Sequence, residues 1–340
     1  MFCLLLGGLA LLCLFSLAFG SVAIPLDQVA AILFGQTPAR ASWEHIIITL
    51  RMPRTITAVM AGAALSVSGL QMQTLFRNPL AGPFVLGISS GASLGVALMV
   101  LTVGAGASGL LSHLGLWGNF SLVVAACLGA GLVVGLVLAV SKRIENSMTL
   151  LILGLMFGYA TGALVSVLMY FSIAERIQAF LTWTFGSFGG VTWQHLFVFA
   201  PAVGVGLFIA FVSVKALNAL LLGETYAQSL GLTVQRARFW ILASASMLAG
   251  VTTAFCGPIA FLGLAVPHLA RSIFNTSDHR VLVPAVIVLG AMLAVGADLI
   301  ARVPGSQQAL PLNAVTALLG APIVTWVILS RRNLSSSFAS

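Results

Sequence analysis

Charge is what this chain of 340 residues has least of: 6% of its residues are Asp, Glu, Lys or Arg, against 60% hydrophobic. A soluble domain carries roughly a quarter charged residues, so most of this surface must face lipid. Only two lysines occur, in Ser141-Lys142-Arg143 and Val214-Lys215-Ala216, and neither follows a glycine-rich lead-in. No P-loop can therefore be written anywhere in the chain. That excludes an ATPase here, and any ATP that drives the protein must come from a partner. Cys3, Cys13, Cys127 and Cys256 are isolated within apolar runs, without CxxC or metal-ligand spacing, and read as small hydrophobes. HExxH is absent too, and His268 has no Asp, Glu, Cys or second His nearby in sequence to complete a metal site, so a hydrogen-bonded core residue is expected there. The formal charge of +8 comes from thirteen arginines and two lysines scattered between apolar runs, which form no basic patch and exclude nucleic acid as a partner.

What is present in quantity is apolar sequence of bilayer-spanning length. The first twenty residues form one such run, and the lack of any Lys or Arg before Arg40 argues against a cleaved signal peptide. Further spans are expected at 53–76, 83–104, 119–141, 148–172, 193–215, 237–257, 260–274, 281–303 and 311–330, making ten. The eighth is short and interrupted by Pro267, which leaves it tilted, broken or partly re-entrant. With the N-terminus inside, ten basic residues lie at cytoplasmic ends (Arg77, Lys142, Arg143, Lys215, Arg236, Arg238, Arg271, Arg280, Arg331, Arg332) against five outside (Arg40, Arg51, Arg54, Arg176, Arg302). Both termini are expected in the cytoplasm. Gly82-Pro83-Phe84-Val85-Leu86-Gly87 is echoed by Gly257-Pro258-Ile259-Ala260-Phe261-Leu262-Gly263, and five spans per half would set the halves in opposite orientation. The expected fold is thus an all-α polytopic membrane protein of about ten transmembrane helices, a single transmembrane domain over 1–340 built from two inverted-topology five-helix halves, about 1–190 and 191–340.

Four local features invite a functional reading. In the cytoplasmic loop 216–235, Gly223 and Gly231 bracket a short helix-compatible stretch that suits either docking into a groove on another protein or a solvated loop. Arg51 and Arg54, three apart, share a helix face at an outer membrane surface, where they can snorkel to headgroups. Gly154, Gly158 and Gly162 form a small-xxx-small ladder, a face on which another backbone packs closely or which leaves a path open. Asp298, the only acid inside a span, stands four residues before Arg302 and is expected to pair with it. That position, toward a span end and beside an arginine, weighs against an ion-coupled secondary transporter, the alternative mechanism, which needs an ionisable group near the midplane.

The runs Leu50-Arg51-Met52-Pro53-Arg54-Thr55, Arg77-Asn78-Pro79-Leu80-Ala81-Gly82-Pro83, Leu222-Gly223-Glu224-Thr225-Tyr226-Ala227-Gln228-Ser229-Leu230-Gly231-Leu232 and Gly257 to Leu264 with Pro267-His268, joined by Asp278-His279-Arg280 and Leu310-Pro311-Leu312, resemble the FecCD-like permeases that import iron-siderophores, haem and cobalamin. The resemblance covers nearly the whole chain in order. It implies a type II ABC importer subunit of the bacterial inner membrane, with a second permease copy, two ATPase subunits that hold ATP and Mg, and a periplasmic or lipid-anchored substrate-binding protein. It assigns ATPase coupling to Gly223, Glu224, Thr225, Leu230 and Gly231, and binding-protein docking to Arg51, Arg54 and Arg302. The translocation path and gate fall to Asn78, Leu80, Ser147, Met148, Gly154, Gly158 and Gly162. No metal and no cofactor is expected on this chain itself, because cargo of this kind arrives already chelated. The scattered outer histidines His45, His113 and His195 are not expected to ligate haem, and iron-siderophore is the default substrate class.

Overall fold

A computed structural model describes residues 1–103, 118–141, 143–144, 147–302 and 309–330, and among them every regular element is helical. In chain order these are α1 (Phe2–Ala18), α2 (Leu26–Leu33), α3 (Ala41–His45), α4 (Met52–Leu75), α5 (Ile88–Ala97), α6 (Gly118–Ser141), α7 (Ser147–Tyr170) and α8 (Ala174–Thr184). They continue with α9 (Trp193–Val212), α10 (Val214–Leu221), α11 (Glu224–Ser229), α12 (Val234–Cys256), α13 (Leu262–Phe274), α14 (His279–Ala301) and α15 (Leu312–Ser330). By length and composition six helices can cross a membrane, Ala41–Leu75, Ser121–Ser141, Met148–Tyr170, Trp193–Val212, Val234–Cys256 and His279–Ala301. Shorter apolar helices at Phe2–Ala18, Ile88–Thr102, Leu262–Phe274 and Leu312–Thr325 occupy the remaining expected segments.

The second span starts earlier than its sequence suggests. Pro53 reads as a helix start, yet α3 runs through a π turn at Ile46–Arg51 into α4 without a break. A wide turn upstream accommodates the amide that proline lacks, so the helix absorbs Pro53 instead of beginning at it. The eighth span is α13, 13 residues long with Pro267 inside. At about 1.5 Å rise per residue it is too short to cross about 30 Å of hydrocarbon alone.

Buried α4 is the centre of the fold and packs against α14, α13, α12 and α9. Helices in lipid gain little from excluding water between them and associate where small residues let backbones approach. A Cβ on Gly62 would collide with the Gly290 backbone of α14, and one on Gly69 with Gly263 of α13. Buried polar side chains add cross-helix bonds: Ser68 donates to the Ala245 carbonyl at 2.8 Å and Gln71 to Ser244 Oγ at 3.1 Å.

The Gly-Pro echo has a structural counterpart. In the first half Gly82-Pro83 leads through a 3-10 turn, Pro83–Leu86, to Gly87 at φ +74, the residue before α5. In the second, Gly257-Pro258 leads to Phe261 at φ +67, the residue before α13. A glycine from the last span of the same half packs on each turn: a Cβ on Gly154 of α7 would meet Leu86 Cα at 2.8 Å, and one on Gly320 of α15 would overlap the Phe261 side chain. Both halves thus use one device, a left-handed residue that aims the third helix under a glycine of the fifth. At Phe261 the left-handed backbone is strained for an L-residue, by about 1–2 kcal/mol, and its ring packed on Gly320 supplies the compensation.

Candidate functional site

On the side where the positive-inside pattern places the cytoplasm, the expected short segment is a helix, α11, preceded by Gly223 at φ +105 and followed by Gly231 at φ +83. Only glycine enters this part of φ/ψ space without strain, which is why the two glycines frame the element so sharply. Leu230 is 61% exposed and Tyr226 53%, whereas Ala227 is buried as the helix's foot. Thr225 is exposed as well. Glu224 is held from beneath, for its Oε1 accepts from Arg238 Nη2 at 2.8 Å. Arg238, on the first turns of α12, is 2% exposed and also donates through Nη1 to the Ile144 carbonyl at 2.8 Å.

The loop after α4 lies beside this element. A Cβ on Gly223 would meet Arg77 Nη1 at 3.6 Å. Asn78 closes the loop on itself, its Oδ1 accepting from the Leu80 amide at 2.9 Å, and leaves Leu80 exposed. His268 of α13 fixes the same loop through Nε2 and the Pro79 carbonyl at 2.8 Å, in line with the hydrogen-bonded core residue expected there. Met148, at the start of α7, is exposed. The side chain of Ser147, and Lys142, Glu145, His113, Arg331 and Arg332 altogether, lie outside the described residues.

The glycine ladder of α7 divides between its two readings. Gly154 and Gly158 pack on Val85, Leu86 and Gly87, an intrachain seam, whereas a Cβ on Gly162 would meet nothing within 4 Å. Ile152, Met156, Tyr159 and Leu164 of the same helix are exposed. This apolar face with tyrosine is turned away from the rest of the chain.

At the opposite end the three outer arginines bind within the chain. Arg51, 6% exposed, donates to the carbonyls of Leu17 (2.6 Å), Ala18 (2.8 Å) and Val22, so it caps the C-terminus of α1 with positive charge where the helix dipole favours it. Arg54 grips Asp298 bidentately, with Nε at 3.0 and 3.1 Å and Nη2 at 2.8 Å. Arg302 pairs with the same carboxylate, as its spacing predicts, and also reaches Ser16 Oγ at 2.6 Å. Asp298, itself 1% exposed, therefore ties α4 to α14 and, through Arg302, to α1. Among the described residues no group of three or more His, Cys, Asp or Glu gathers to hold a metal.

This geometry meets its counterpart among known proteins. The sequence profile of the FecCD transport family matches residues 8–330. The chain belongs to the FecCD transport family. Its relatives include vitamin B12 import system permease proteins BtuC: that of Klebsiella pneumoniae is 38% identical over 292 residues, 86% of this chain and 85% of the relative. That of Escherichia coli O9:H4 is 36% identical over 289 residues, 85% of each. A solved metal-chelate type ABC transporter in an inward-facing conformation superimposes with a TM-score of 0.83 at 26% identity, over 96% of this chain and 97% of that one. PsaBC from Streptococcus pneumoniae, solved in complex with Fab, shares the fold more distantly, with a TM-score of 0.53 at 17% identity over 88% of this chain and 95% of that one.

In this FecCD family member the residues that sequence reasoning passed over are those that hold the site from within. Arg238 reads in sequence only as one more inside-positive charge, and nothing local shows that its guanidinium is buried. The same holds for Arg271, whose Nη1 donates to Gln73 Oε1 at 2.7 Å, and His279, legible in sequence only as part of a family motif, is likewise held inside, between Thr74 Oγ1 and Asn218 Oδ1 at 2.8 Å each. A count of charges in an apolar chain is the available signal: each buried cation needs a partner, and the chain has seven acids for fifteen cations.

Proposed function

We propose that this chain is the membrane-spanning permease subunit of an ATP-driven importer in the bacterial inner membrane, with both termini cytoplasmic. Two copies, or a copy and a paralogue, enclose the path, two ATPase subunits supply hydrolysis with ATP and Mg, and a periplasmic or lipid-anchored binding protein delivers the cargo. The observation that carries this reading is α11: a six-residue helix framed by two positive-φ glycines, presenting Tyr226 and Leu230 outward, in a chain whose sequence holds no P-loop. A preformed apolar knob of this kind suits a groove on a partner. Arg77, which leads into the candidate gate loop at Asn78-Leu80, lies next to Gly223 at its base, and Ile144, ahead of Met148, shares Arg238 with Glu224. The exposed face of α7 supports a second copy across the path, with Gly162 leaving room for a wide solute.

The cargo is a bulky metal chelate, an iron-siderophore, haem or cobalamin, and a corrinoid stands first because the relatives at 36–38% identity are vitamin B12 import permeases. Docking of the binding protein falls to the arginine-rich outer face, where Arg54 is the most exposed of the three and Arg51 and Arg302 brace the surface from inside. An ion-coupled carrier has less support, since Asp298 is already neutralised by two arginines. Reconstitution of the chain with its ATPase and binding protein in liposomes tests the proposal, with cyanocobalamin, haem and a ferric siderophore offered in turn. ATP-dependent uptake of one of the three is expected. Uptake driven by a proton or sodium gradient without the ATPase would overturn it.

A further inference from the structure

A guanidinium buried in a chain this poor in charge needs hydrogen-bond partners inside the protein. Arg238 is among the largest fully buried side chains, and its two terminal nitrogens go to different parts of the cytoplasmic surface. One holds Glu224, the first residue of α11, and the other holds the carbonyl of Ile144, three residues before α7 begins, each at 2.8 Å. Its own backbone belongs to α12, a span that is mostly buried. The guanidinium thus spans the element that presents Tyr226 and Leu230 and the segment that leads into the exposed face of α7. At the same end of α11, Gly223 lies beside Arg77 of the loop carrying Asn78 and Leu80.

We propose that Arg238 is a coupling strut, a positioning residue that passes a displacement of α11 to the cytoplasmic start of α7. The inference rests on the reading of α11 as the ATPase-docking helix. A planar, rigid guanidinium can hold a carboxylate and a carbonyl in fixed relation, whereas a lysine ammonium on a flexible stem keeps the charge and loses the fork. When α11 moves, the Ile144 carbonyl is drawn with it through two hydrogen bonds, and the start of α7, three residues further along the chain, is drawn after it. Without the strut α11 still docks, but its motion reaches α7 only indirectly, through the other elements packed around it.

The test uses the full transporter with its ATPase and a chain whose four cysteines are replaced, carrying Thr149→Cys, an exposed position on the first turn of α7. Maleimide labelling of that cysteine from the cytoplasmic side is timed with and without a non-hydrolysable ATP analogue. With Arg238 present, nucleotide should change the labelling rate about threefold or more, within the range typical of coupling between sites. Arg238→Lys and Arg238→Met should still co-purify with the ATPase yet lose most of that change. Variants that bind the ATPase and keep the full nucleotide response would overturn the strut, as would variants that no longer bind the ATPase, because Arg238 would then shape the docking surface only. Failure of the ATPase to bind even the Arg238 chain removes the underlying reading of α11, a result distinct from either.

Discussion

Asp298 shows how much one side chain decides here. It balances Arg54 and Arg302 while 1% exposed, with Arg51 close by on the carbonyls of α1. Removing the carboxylate leaves two cations without their counter-charge, whereas removing Arg54 leaves Asp298 paired to Arg302. Breaking a buried pair from the side that strands a charge costs about 3–5 kcal/mol. Asp298→Ala is therefore expected to lower the unfolding midpoint in detergent much more than Arg54→Gln, and equal losses would show that the two arginines do not share the carboxylate. A charge reversal at Arg54 carries a separate expectation, slower association of the binding protein with a weaker salt dependence, measured in nanodiscs. Glu224→Arg, an obvious probe of the coupling loop, would also break the intrachain bond to Arg238. Glu224→Gln, which retains a hydrogen bond, is the cleaner substitution.

Helix contacts set what each element tolerates. Gly69→Ala places a methyl group in the Gly263 backbone, so α4 and α13 must separate, and a loss of about 3 kcal/mol or failure to insert is expected. Gly162→Ala meets open space and should leave stability within about 1 kcal/mol. A larger residue there, Gly162→Phe, is expected to reduce uptake while thermal stability stays put, which separates a path role from a packing role. At the start of α14, Asp278 caps the helix by accepting from the Arg280 amide at 2.9 Å and from Asn218 Nδ2 at 2.6 Å. Those two donors hold its carboxyl below the ordinary carboxylate range. A depressed folded pKa means the contribution is complete above the unfolded value of about 4 and is lost as pH falls through the folded value. Asp278→Ala should cost about 1 kcal/mol and Asp278→Asn less. Neither the wild-type cap nor the difference should vary between about pH 6 and about pH 8, which denaturation at several pH values checks.

For the whole molecule, the expectations concern sidedness and dependence on partners. With the native cysteines replaced, Gln228→Cys on α11 should label from the cytoplasm and Ser42→Cys, exposed ahead of α4, from outside; labelling of both from one side would refute the topology. The purified chain should hydrolyse no ATP, and activity should appear on co-expression with an ATPase subunit. Turnover by the isolated chain, free of contaminating ATPases, would contradict that.

The sequence by itself determined the class of this protein, its ten apolar segments, the glycines that frame α11 and the Asp298–Arg302 pair, since all of these rest on local properties: hydropathy over one helix, a positive φ, an i,i+4 spacing. It also carried the family, because whole-chain motifs survive in order. Only the tertiary structure decided what long-range contact decides. Arg54 finds Asp298 across 244 residues, Arg238 reaches Ile144 across 94, and Gly154 and Gly158 turn to a turn of the first half instead of to an open path. In an apolar chain each cation and each glycine has several acceptable uses at the level of its own helix. Which use it serves is set by the helix that packs against it, and that choice is made when buried charge must find its partner and bare backbone must find another backbone.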